Sequence, residues 1–475
     1  MLENIFIKNC FKNPNKTAII CGNKKVSYSE LINTIFLCAF QLKKRIKTNN
    51  KVMLKYKNSI EWIIFYFSIK FSNNVPVIVS NITPTHKIKK IILENKIQYI
   101  ISSKKLNFRN SINLNLSKFL HIKKNFKKKF IKPNKKYDEI LYTSGTTGIP
   151  KGVILTKQNS YFIAKMINKI VKLEKETVEL ISIPFSHSFG IGRLKCFAIN
   201  GHTMVINDKP ENLANIFVLL ERHKVTGFSM VPSGIDILKK INFLSFSKTS
   251  KNLKFIELGS EKINGSSLDW LKRVFKKTAI YHHYGMTEAS RSAFKIYRYQ
   301  GKKLNFYKSS PGINISLIND KNQFCKKNEI GEIVIKGKSV SSGYVNKKIM
   351  KNKFSKFGFR SGDLGKRVSK NRFEIKGRID NIKKINGITV DLEEVENCIN
   401  DFPYIDKNHC HFIFDNVSRS YKIYSRYYSK RNFEHNRLTK FLSSRIESYK
   451  IPYKFQKVRT SKLISNKQKI NLSYV

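Results

Sequence analysis

Between Tyr142 and Gly152 the chain reads Tyr-Thr-Ser-Gly-Thr-Thr-Gly-Ile-Pro-Lys-Gly, a run of hydroxyls and glycines closed by one lysine. The residues before it, 138–142, have the composition of a short strand, and 159–171 carry the apolar spacing of a helix. Glycines let the backbone turn its N–H groups toward an anion, and the hydroxyls add donors. Lys151 supplies a mobile positive charge, so the stretch suits a polyphosphate. Its spacing is neither G-x-x-x-x-G-K-[ST] nor G-x-G-x-x-G. Taken alone, the same residue types also build ordinary surface turns.

Strand, loop and helix continue an alternation that starts near the N-terminus. Ser27 stands three residues before Glu30 in capping-box spacing, and Leu31, Ile35, Cys38, Ala39 and Leu42 trace one helical face. A strand-like 51–54, an apolar helix over 62–71 and a short strand over 75–79 follow, then 91–96 and 99–101. Helices interleaved with short buried strands predict an α/β fold with mainly parallel sheet. After about Gly301 short strand candidates dominate, at 313–318, 332–336 and 372–375. Asp391-Leu392-Glu393-Glu394 repeats the capping-box spacing before a further helix. The boundary falls at Arg378 to Asp380, giving domains 1–378 and 379–475.

A chain of 475 residues exceeds what one compact core usually serves. The net charge of +59 invites a nucleic-acid reading, but 74 of the 91 basic residues are lysines scattered along the whole length. That distribution fits a compositional bias better than a specific nucleic-acid partner. The densest basic run, 121–136, reads as a solvated link, and the excess charge steers anionic ligands inward. Seven widely spaced cysteines without a C-x-x-C pair predict free thiols in a reducing, cytoplasmic setting. The N-terminus has no charged-then-apolar signal pattern. Lys70, Ser72, Asn73 and Asn74 interrupt the apolar stretch 62–79, so no membrane span is expected.

Further motifs follow the loop in order: Tyr284-Gly285-Met286-Thr287-Glu288, Phe359-Arg360-Ser361-Gly362-Asp363-Leu364-Gly365 and Gly377-Arg378-Ile379-Asp380-Asn381. Together they resemble the adenylate-forming superfamily of acyl-CoA synthetases, peptide-synthetase adenylation domains and luciferases, and within it the AMP-dependent acyl-CoA synthetase branch. The resemblance implies a large N-terminal domain of mainly parallel sheets flanked by helices, with a small β-barrel-like part. It also implies a small, mobile α+β C-terminal domain. By resemblance, Thr143, Ser144, Gly145, Thr146, Thr147, Gly148 and Lys151 surround the phosphates of ATP. Thr287 bonds the reacting phosphate and carboxylate oxygens, and Glu288 with Thr147 holds Mg²⁺. Tyr284 stacks on adenine beside the turn Gly259-Ser260-Glu261, Asp363 takes the ribose hydroxyls, and Arg378 reaches ribose or phosphate. Asp380 is the implied hinge, and Gly387 lets a pantetheine arm pass.

Pro184-Phe185-Ser186-His187-Ser188-Phe189-Gly190 resembles the family's P-x-x-H-x-x-G segment, which puts His187, with Gly285, in the acyl pocket. Ser188 stands where amino-acid-activating members carry Asp, which favours a simple carboxylic acid. Near the C-terminus the implied adenylation lysine is Lys469, with Lys467 as alternative, and Gln468 replaces the customary glycine. The implied activity joins a small carboxylic acid to CoA through an acyl-adenylate, using ATP and Mg²⁺. Two alternatives stay open: transfer to an acyl carrier protein, and a non-catalytic relative suggested by the altered tail and the charge.

Overall fold

The computed structural model describes residues 1–104, 106, 108, 112–113, 138–143, 150–208, 212–241, 252–298, 305–350, 353–385, 388–415 and 420–459. The chain forms two compact units. The first takes residues 1–143, 150–315 and 335–359, the second 316–334 and 360 onward.

The first unit holds strands β1 Thr17–Cys21, β2 Lys24–Ser27, β3 Lys51–Lys55, β4 Val75–Ile78, β5 Tyr99–Ser102, β6 Ile112–Asn113, β7 Glu139–Thr143 and β8 Lys151–Leu155. They continue with β9 Val178–Ile181, β10 Thr203–Ile206, β11 Gly227–Met230, β12 Phe255–Leu258, β13 Ala279–Met286, β14 Ala289–Tyr297 and β15 Tyr307–Ser309. In one sheet the order is β15-β14-β13-β12-β11-β9-β10-β1-β2, parallel from β13 through β1 with antiparallel strands at either end. In the other, the short strand Gly343–Tyr344 begins the order and β8-β7-β4-β3-β5-β6 follow. There β7, β4, β3, β5 and β6 run parallel, and β8 returns antiparallel to β7.

Local chemistry starts the helices where the spacing predicts. Ser27 and Glu30 form a reciprocal capping box at the head of Tyr28–Arg45. Thr156 and Asn159 form another at Lys157–Val171, the helix that follows β8. Helix Ile60–Phe71 is predominantly apolar and buried at every position but Glu61, with Trp62, Tyr66 and Phe67 fully enclosed. Among the described residues no helix is long and apolar enough to cross a membrane. All seven cysteines are free, and only Cys21 is not fully buried.

In the second unit, strand Gly358–Ser369 pairs antiparallel with Arg372–Arg378. Beyond them, Lys407–Asp415, Ser420–Tyr428 and Lys454–Lys457 form a three-stranded sheet. Helices Leu392–Asn400 and His435–Ser443 contribute Val395, Ile399, Leu438 and Leu442 to its core. Asp391 caps the first of these helices through the Glu393 N–H at 2.9 Å.

Candidate active site

Strands β7 and β8 are the two stems of the glycine-rich loop. Thr143 pairs with Lys151 and Tyr142 with Gly152 at its mouth. The loop residues themselves, Ser144 to Ile149, lie outside the described residues. The mouth stands at the C-terminal end of β7, the end at which parallel sheets receive ligands. The Tyr142 ring covers Gly152 so closely that a Cβ there would sit 2.8 Å from Cζ. The Tyr142 hydroxyl donates to Glu94 and accepts from Asn95 Nδ2 at 2.6 Å.

Thr287 and Glu288 form the turn between β13 and β14. Glu288 Oε1 accepts from the Tyr344 hydroxyl at 2.6 Å, and the Glu288 carbonyl accepts from Ser341 N–H at 2.7 Å. Tyr344 itself pairs with Val153 of β8, so the turn and the loop stem are joined through it. A side chain at Gly285 would meet Arg291 N at 2.5 Å, which explains the glycine beside Tyr284. The turn Gly259-Ser260-Glu261 follows β12, the parallel neighbour of β13, so it shares a sheet edge with Tyr284. A Cβ on Gly259 would lie 2.0 Å from the His283 ring, and Ser260 adopts φ 71°. The Glu261 carboxylate accepts from Ser233 N–H at 2.9 Å. His187 is exposed and precedes helix Ser188–Asn200. Arg291 Nη1 and Nη2 donate to the Ser188 and Phe189 carbonyls at 2.8 Å each, which brings the His187 end of that helix to the β13–β14 turn.

Under this surface lies a charge network that motif reading missed. Arg193 Nε is 2.5 Å from Glu179 Oε1, and its Nη1 is 3.0 Å from Glu257 Oε2. Arg291 Nε and His283 Nδ1 reach Glu257 Oε1 at 3.2 and 2.8 Å, and His202 Nε2 reaches Glu179 at 3.1 Å. Burial pushes the Glu257 carboxyl up, but the guanidiniums of Arg291 and Arg193 outweigh it and hold it well below the usual carboxylate range. Burial also lowers His202 and His283, so both imidazoles are neutral near pH 7. Two carboxylates then balance two guanidiniums, and the network carries no net charge. One signal was available in the sequence: Val-Glu-Leu-Ile and Phe-Ile-Glu-Leu each set a carboxylate inside an apolar strand, where it demands a buried cation.

A second cluster anchors the start of β7. Lys70 Nζ bridges Glu3 Oε1 at 2.9 Å and Asp138 Oδ1 at 2.8 Å, while Glu139 takes Lys195 Nζ at 2.5 Å and the Tyr66 hydroxyl at 2.6 Å. Burial raises the Asp138 carboxyl, but the ammonium groups of Lys70 and Lys195 outweigh burial and bring it down to about 2. The unfolded value is about 3.9, so this group stabilises the fold above that pH and loses its contribution as pH falls toward 2. That share is on the order of 2 kcal/mol. Asp138→Asn is therefore expected to flatten the fall of the thermal midpoint between about pH 4 and pH 2. An unchanged slope would contradict it.

In the second unit, Asp363 and Arg378 face each other across paired strands, and Arg378 Nη1 donates to Asp363 Oδ1 at 2.7 Å and to the Ser361 carbonyl at 3.0 Å. Ser361 braces this turn: its Oγ accepts from Asp363 N–H at 3.0 Å and donates to the Ile333 carbonyl at 2.7 Å. Gly362 turns between them at φ 77°. Asp380 lies in the 3₁₀ turn Ile379–Asn381. Gly387, Lys467 and Lys469 lie outside the described residues.

The chain belongs to the AMP-binding enzyme family, whose model matches residues 6–345, and through it to the adenylate-forming superfamily. It is 29% identical over 334 residues to the D-alanine–D-alanyl carrier protein ligase of Bacillus licheniformis, covering 66% of each chain. It is 25% identical over 425 residues to bacitracin synthase 3 of the same species, covering 83% of this chain but only 7% of that much longer relative. Among solved structures, the o-succinylbenzoate CoA synthetase MenE from Bacillus subtilis, in complex with the acyl-adenylate OSB-AMP, superimposes with a TM-score of 0.86 at 20% identity. That match covers 96% of this chain and 95% of MenE. ATP-bound MatB from Rhodopseudomonas palustris gives 0.82 at 18% identity, covering 97% and 95%. The α/β fold is that of these proteins.

Proposed function

We propose that the protein activates a carboxylic acid with ATP and passes the acyl group to the thiol of CoA. The carrying observation is the stitching of the loop mouth at Thr143 and Lys151 to the Glu288 turn through Tyr344. On this reading Lys151 would supply the cationic side chain, Thr143 a hydroxyl and Glu288 the one carboxylate that a triphosphate with its metal would need.

The fit to magnesium rests on Glu288. One of its oxygens is held by Tyr344, and the other has no protein partner among the described residues. Among those residues no group of three His, Cys, Asp or Glu could hold a metal by itself. A lone carboxylate suits Mg²⁺ that arrives on phosphates and keeps its waters, and does not suit a resident ion. Bound there, the ion would neutralise phosphate charge. Thr143 and Thr287 would donate to phosphate oxygens and Lys151 would add its charge. Asp363, held by Arg378, would take the ribose hydroxyls. Domains 1–378 and 379–475 would act in turn about Asp380, with Lys469 present for adenylation and the pantetheine arm passing Gly387 during transfer. Free, buried thiols suit a reducing compartment.

A second reading is favoured by the carrier-protein ligase relative: transfer to a phosphopantetheine carrier. Carboxylate-dependent pyrophosphate–ATP exchange tests the shared adenylation step, and saturation with free CoA against a holo carrier separates the two acceptors. Salt-sensitive DNA binding without exchange would support a non-catalytic protein instead. Lys469→Ala is expected to slow adenylation by about 10²-fold or more while sparing thioester formation from supplied acyl-adenylate. Equal loss of both half-reactions would refute the assignment.

A further inference from the structure

We infer that Tyr344 is a positioning residue that sets the metal affinity of the nucleotide site by fixing the Glu288 carboxylate to the second stem of the phosphate loop. This rests on the reading above. No motif singled out Tyr344, which lies 56 residues beyond the carboxylate it holds. Its backbone extends the β8 edge: Tyr344 pairs with Val153, Ser342 N–H donates to the Ile154 carbonyl at 3.0 Å, and Val345 N–H donates to Gly152 at 2.8 Å. The preceding residues hold the other partner. Ser341 N–H reaches the Glu288 carbonyl at 2.7 Å, and Val340 bridges Ala289. Asn159, which completes the capping box with Thr156 after β8, adds bonds from Nδ2 to the Lys338 and Val340 carbonyls at 2.8 Å each. Residues 338–345 thus lace two segments that the sequence separates widely.

The Tyr344 ring is 3% exposed and packs with Val153, Leu155, Met350 and Phe354, so its hydroxyl has little freedom to follow a moving carboxylate. With Oε1 occupied by this O–H, the second oxygen of Glu288 is the one left to meet an ion. Partners that orient a ligating carboxylate typically control metal affinity by 10- to 100-fold.

The test uses the full chain and needs no turnover. Mn²⁺ is titrated into the protein–ATP mixture without any carboxylic acid, and ATP affinity is measured separately in EDTA, for wild type, Tyr344→Phe, Glu288→Gln and the double variant. Tyr344→Phe is expected to weaken Mn²⁺ binding by about 10-fold and leave metal-free ATP affinity unchanged. In the Glu288→Gln background the same substitution adds nothing further. Equal weakening in EDTA, full loss in the Gln background, or unaltered Mn²⁺ binding in Tyr344→Phe would each overturn the inference. Those outcomes leave ATP binding by the wild type, and so the functional reading, intact. A wild type that binds no ATP under either condition overturns both.

Discussion

Glu288→Gln is expected to lower magnesium-dependent pyrophosphate–ATP exchange by about 10²- to 10³-fold, with the thermal midpoint nearly unchanged. The side chain sits on a half-buried turn, and a glutamine carbonyl would still accept the Tyr344 hydroxyl that now lies 2.6 Å from Oε1. What is lost is the negative charge, and with it the only feature of this turn that would attract Mg²⁺ over water. A magnesium titration of exchange activity, run beside a thermal scan, separates the two effects. An exchange rate within a few-fold of wild type would remove Glu288 from the reaction, and a collapsed midpoint would assign it a structural role.

Arg193→Met is expected to destabilise the protein by about 3–5 kcal/mol, a large part of the whole stability of an ordinary domain. Arg193 is fully buried and serves Glu179 and Glu257 together. Methionine fills much of the volume, so the loss comes mainly from carboxylates left without their cation. Arg291 and His283 would still face Glu257, but among the described residues only His202 and the Ser229 hydroxyl would remain near Glu179. Pairing the change with Glu179→Gln should therefore recover part of the deficit, since it removes the uncompensated charge. Urea midpoints for the two variants measure this. A single variant within about 1 kcal/mol of wild type would mean the network is not held by charge.

The elements most legible in the sequence are those whose cause is local. Ser27 and Glu30, three residues apart, meet in the capping box that their spacing predicts. The apolar run 62–71 lies in helix Ile60–Phe71, buried at every position but Glu61, because a segment so poor in polar residues cannot stay at the surface. The strand before the glycine-rich loop and the helix after it were equally readable by period, whereas the second stem, β8, was not foreseen.

Side-chain partners were not legible in this way. Glu257 in an apolar strand announced that it needed a cation, yet nothing near it in the chain said which one. Arg193 comes from 64 residues before it and Arg291 from 34 after. Tyr344 looked like any aromatic residue until sheet pairing set its ring beside β8 and its hydroxyl on Glu288. Hydrogen-bond donors and periodic apolar faces act within a few residues, so the linear order of the chain was enough to reveal the helices, the loop and the family pattern. The balance of buried charge and the seating of the Glu288 carboxylate depend on which distant strands lie side by side, and low-dielectric contacts of about 3 Å exist only after that packing is complete.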